Sequence, residues 1–238
     1  MAGAFWWQAR SAGSYPWLAL AAVVIFVLAV WSVAWKRVPF FSVVARMGVP
    51  TIFLLTGGYA LLLAEGALAL WVIPLVAGGA AFMGLELLFL HVFLPARYPV
   101  NGLSHFNFAL VPLTFWCVQY ASVGLMMFVH APRWLPAFAL GVVGATLFWA
   151  TAHAEAAAEA RVRWTVLGAV LGVHVGLVGA LLPLEITLQG VIAAVLGAFV
   201  LRTRRYGISP RLPRKLVWME SAAVCVLLCT ALVTGRWA

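Results

Sequence analysis

Runs of about 20 apolar residues recur along the whole chain, parted by short gaps in which Lys and Arg collect. A helix needs roughly 20 such residues to cross the hydrocarbon of a bilayer. A chain built almost wholly of them keeps no residues for a soluble core. Of the 238 residues, 66% are hydrophobic and 9% charged, against about 25% charged in a soluble domain. The sequence therefore predicts an all-α integral membrane protein with no soluble domain.

The runs place eight transmembrane helices near residues 17–35, 49–66, 69–94, 106–130, 133–152, 164–182, 185–202 and 216–234, in one polytopic domain over 1–238. Two breaks, at Glu65-Gly66 and at Pro183-Leu184-Glu185, have one charge each, and fusing either pair gives seven spans. The cations favour eight. With an external N-terminus, all of the 15 Lys and Arg except Arg10, Arg133 and Arg236 fall on the cytoplasmic side, as the positive-inside bias requires. Lys36, Arg37 and Arg46 mark the first internal loop, Arg97 the second, Arg161 and Arg163 the third, and Arg202 to Lys215 the last. Both termini are expected outside a prokaryotic cytoplasmic (inner) membrane. The first run lacks a basic leader and an A-x-A-like site, so it reads as a retained helix and not as a signal peptide.

The net charge of +9 does not point to nucleic acid, because a nucleic-acid module gathers its cations on one soluble face. Membrane lipids are the expected partners of these loops. Cys117, Cys225 and Cys229 all sit inside apolar runs and form no disulfide framework. Trp17-Leu18 and Trp134-Leu135 lie half a chain apart, and shifting the second and third spans by that interval lands on the sixth and seventh. That spacing suggests two tandem four-helix units. In the sixth span Gly168, Gly172 and Gly176 make a flat stripe at every fourth residue. Such a stripe admits another helix closely, from this chain, from a second copy in a homo-oligomer or from another membrane subunit.

Acidic residues are scarce: six Glu and no Asp, which excludes any mechanism built on paired aspartates. An ionisable residue within a span is a functional candidate because burying it is costly. Glu86 sits about two turns from the cytoplasmic end of its span, on a face with Gly79, Phe82 and Met83. Gln119 and His174 lie deep in their own spans, and with Glu86 they could line a mid-membrane path. The cytoplasmic edge is richer, with His91, His105, His153, Glu155 and Glu220 near span ends and Arg97 and Asn101 in the loop between the third and fourth spans. His91, His105 and His153 are candidate ligands for a Zn or Fe ion, since imidazole suits both metals, although no HExxH-type spacing is present.

Three function classes follow. The first is an intramembrane enzyme acting on a lipid or isoprenoid at the cytoplasmic leaflet. Its acid, base or ligand groups would be Glu86, His91, His105, His153, Glu155 and Glu220, with Arg97, Asn101, Gln119 and His174 holding substrate. The second is an anchor subunit of a larger redox or assembly complex. The third is a small transporter or channel.

Overall fold

The computed structural model describes residues 15–64, 67–153, 158–182, 184–208 and 214–234. They form eight helices: α1 (Tyr15–Ala34), α2 (Phe40–Leu62), α3 (Ala67–Phe93), α4 (Gly102–Phe128), α5 (Leu135–His153), α6 (Ala158–Leu181), α7 (Ile186–Ile208) and α8 (Arg214–Thr234). A single 3₁₀ turn, Pro95–Arg97, lies between α3 and α4. Seven helices, α2 to α8, are long and apolar enough to cross a membrane. The 20 residues of α1 cover about 30 Å at 1.5 Å per residue. No β-strand or soluble domain is found among the described residues.

Pro50, Pro74 and Pro112 lie inside α2, α3 and α4 without ending them, because neighbouring helices and local adjustments absorb the freed backbone groups in membrane helices. The largest departure from the sequence reading is the start of α2, at Phe40 and not near residue 49. Arg46, expected in a loop, is helical. Its neighbours Val43, Ala45 and Met47 are buried, so this turn of α2 already has an inward face.

The closest packing joins α5 to α6. A Cβ at Gly144 would run into the Gly168 carbonyl, one at Gly172 into the Leu140 carbonyl, and one at Gly176 into the Pro136 carbonyl. The stripe of Gly168, Gly172 and Gly176 thus packs against the chain's own α5. Backbones meet directly because lipid supplies no hydrophobic drive and only close dispersion contacts hold such helices together.

The helix α4 runs through the middle, packed on α2, α5 and α7 and more lightly on α3 and α6. Gly190 and Gly197 of α7 make room for its Trp116 and Phe115, since a Cβ at either would sit 2.7–2.8 Å from the ring. The two halves of the chain therefore interleave through α4, α2 and α5 and do not form separate tandem bundles. At the far side, α8 packs on α7, and none of its central span is buried.

Candidate functional site

At the edge of the bundle where α3 ends and α4 begins, a cavity of about 350 Å³ opens between α2, α3, α4 and α5. It is lined by Ser42, Ala45, Arg46, His91, Tyr98, Asn101, Leu103, Ser104, Asn107, Ala150 and Thr151. Each polar group arrives by a separate local cause. The early start of α2 carries Ser42 and Arg46 inward. His91 stands in the last turn of α3. Asn101 takes a left-handed conformation with φ 57° just before α4, which Asn tolerates better than most residues.

Tyr98 ties the two helices together. Its ring meets the edge of His91 with centroids 4.9 Å apart, and its hydroxyl oxygen accepts a 2.8 Å hydrogen bond from the Leu103 amide. That amide is one of the N–H groups a helix start leaves without an internal partner. The phenolic hydrogen stays available to donate. Asn107, 4% exposed, donates from Nδ2 to the Arg46 carbonyl at 2.7 Å, while its Oδ1 has no partner.

The guanidinium of Arg46 contacts His91 Nε2. A guanidinium can only donate, so Nε2 accepts in this contact and the ring hydrogen lies on Nδ1. Among the described residues the ion pairs are Glu159–Arg163 at 3.8 Å and Arg202–Glu220 at 3.3 Å. Neither is at the cavity, so no carboxylate among the described residues neutralises Arg46. As lined by the described residues the cavity is positive, with hydroxyl and amide groups around the cation.

Of the residues singled out from sequence, His91 and Asn101 line this cavity, and the others whose side chains are described lie elsewhere. His105 is exposed in the first turn of α4, and Arg97 is exposed in the 3₁₀ turn. Glu220 is held on α8 by Arg202. His153 closes α5, one turn beyond Ala150, but its side chain and all of Glu155 lie outside the described residues, as do the side chains of the last basic loop from Arg204 to Arg214. No group of three His, Cys, Asp or Glu that could hold a metal occurs among the described residues. The expected set of His91, His105 and His153 is therefore not assembled by the described side chains.

The mid-membrane trio also separates. Gln119 and His174 border a second cavity of about 210 Å³ together with Gln189. Gln119 donates from Nε2 to Gln189 Oε1 at 3.3 Å, and Gln189 Nε2 donates to the carbonyls of Leu182 and Leu184 at 3.2 and 2.9 Å. These two amides thus close the break between α6 and α7. His174 Nδ1 is bonded to the Val170 carbonyl of its own helix at 2.7 Å. Glu86 faces outward on α3, away from both.

Sequence reasoning missed Arg46, Tyr98, Ser104 and Asn107. The usable signal was the pair of Arg46 and Asn107, each polar and each flanked by apolar residues at helical spacing. Comparison with protein-family models, with curated proteins and with solved structures finds no match.

Proposed function

We propose that this protein binds the anionic headgroup of a lipid or isoprenoid in the edge cavity and acts on it there as an intramembrane enzyme of the cytoplasmic leaflet. The observation that carries the reading is Arg46, a cation with no carboxylate partner among the described residues, in a cavity of headgroup size whose other polar walls are hydroxyls and amides. Charge-assisted bonds from a guanidinium fork suit phosphate or carboxylate. The Tyr98 hydroxyl can add a donor, and Asn107 Oδ1 can accept from a hydroxyl on the same head.

The contact between Arg46 and His91 gives this arrangement a chemical use. An anion that takes the guanidinium releases His91 Nε2, which then becomes a general base within reach of the bound head. Glu220 and Glu86 have no part in this reading. An anchor subunit is the second reading, and it draws on α8, none of whose central span is buried among the described residues.

The test is to purify the full chain and Arg46→Gln, exchange each into bilayer discs of phosphatidylglycerol or phosphatidylcholine, and quantify retained lipid by mass spectrometry. The wild type is expected to retain anionic lipid through exchange and Arg46→Gln to lose that preference by about tenfold or more, the worth of one charge-assisted hydrogen bond. Equal retention by the two proteins refutes the site.

A further inference from the structure

On α3 the buried residues Pro74, Ala77, Ala80, Ala81, Gly84 and Leu88 turn inward. The opposite face carries Gly79 and Glu86 along its centre, one heptad apart, flanked by exposed Phe82, Met83 and Phe89. Glu86 makes no hydrogen bond or ion pair with any described residue. It lies seven residues before Phe93, where α3 ends, about 10 Å along the axis at 1.5 Å per residue.

The apolar span of α3, Leu70–Phe93, is about 36 Å long by the same rise, so only about 3 Å at each end extends past a hydrocarbon layer of roughly 30 Å. Glu86 is therefore inside that layer. Side chains of a helix tilt toward its N-terminus, which for Glu86 is away from the near surface. Lipid offers no partner for a carboxyl group at that depth.

We propose that two copies of the chain associate through this face of α3, with the two Glu86 side chains hydrogen-bonded to each other through one shared proton. Two copies inserted with the same orientation are related by an axis along the membrane normal, which sets every residue opposite its own counterpart at equal depth. Glu86 then meets the one group certain to be at its level. One polar residue in an otherwise apolar heptad seam fixes register and oligomer state. Gly79 permits the approach, because a Cβ built there has nothing within 4 Å. This surface is separate from the edge cavity, so its failure leaves the headgroup reading untouched.

The experiment uses full-length protein in native membranes with Cys225 and Cys229 changed to Ser and one new cysteine, Phe82→Cys, Met83→Cys or the control Val142→Cys. Oxidation should give disulfide-linked dimer at the two α3 positions and none at Val142→Cys, which is exposed on α5. Adding Glu86→Leu should lower the dimer yield about threefold or more, the worth of one interhelical hydrogen bond in a membrane, and Glu86→Gln, which keeps a donor and an acceptor, should retain it. Gly79→Leu fills the approach without touching the interior of one copy and should also lower the yield. Absence of dimer at both α3 positions, or an undiminished yield in Glu86→Leu or in Gly79→Leu, overturns the proposal.

Discussion

The α5–α6 contact makes Gly172 the most exacting position in the fold, and Gly172→Ala tests it. A Cβ there would run into the Leu140 carbonyl oxygen and lie 2.5 Å from its carbon and 2.9 Å from the Gly141 nitrogen. All three obstacles are backbone atoms, which cannot swing aside as a side-chain tip would. Relief requires α5 and α6 to separate by about an ångström along their closest contact, at the usual overpacking cost of about 1–3 kcal/mol. Gly57 is the control, since it is buried in α2 and a Cβ there has nothing within 4 Å. Gly57→Ala should be neutral or up to about 1 kcal/mol stabilising, because alanine is the better helix former. Equilibrium unfolding in mixed micelles, followed by tryptophan fluorescence, reads both. Values for the two variants within about 0.5 kcal/mol of each other would refute the reasoning that backbone contact sets the α5–α6 distance.

Further outcomes separate site residues from structural ones. Arg46→Lys keeps the charge but loses the planar fork, so headgroup retention should fall between wild type and Arg46→Gln in the same exchange assay. Gln189→Leu leaves the Leu182 and Leu184 carbonyls without their amide donor and should cost about 1–3 kcal/mol in micelle unfolding, more than Gln119→Leu, which removes a single 3.3 Å bond. Arg202→Ala breaks a pair whose arginine is largely exposed, so its effect should stay within about 1 kcal/mol, with headgroup retention unchanged. A loss of lipid retention in Arg202→Ala would bring Glu220 back into the site.

Hydropathy made the helices legible because a bilayer demands the same thing of every span, a run of apolar residues long enough to cross it. The helical class, the eight helices, seven of them long and apolar enough to cross a membrane, and most boundaries follow from that demand alone. The start of α2 escaped it, since a window average treats Arg46 as a loop charge, whereas burial of Val43, Ala45 and Met47 on one side of the same turn makes that turn helical. The tandem-unit expectation failed for a related reason. Equal lengths and matching tryptophans say nothing about which helices touch, and here glycine positions on α6 and α7 decide that α5 and α4 are their neighbours. His105 and Glu220 look equivalent to His91 in sequence because each stands near a span end. Only the rotation of each helix about its axis distinguishes them.

That rotation also sorts Arg46 and Glu86, which lie on opposite sides of the bundle wall. Arg46 on α2 turns inward, to a cavity at the edge of the bundle where Asn107, His91 and Tyr98 already stand. Glu86 on α3 turns outward, among Phe82, Met83 and Phe89, where no described residue bonds to it. A charge facing inward beside other polar groups can be matched by a small anionic head that enters and leaves, which suits binding and turnover. A charge facing outward in the hydrocarbon can be matched only by another protein surface at the same depth, which suits a lasting contact. The same shortage of acidic and basic residues within the spans therefore yields two different roles, assigned by which side of the wall each side chain occupies. Substitutions at Arg46 should alter lipid retention and leave the cross-linking at α3 intact, and those at Glu86 should do the reverse.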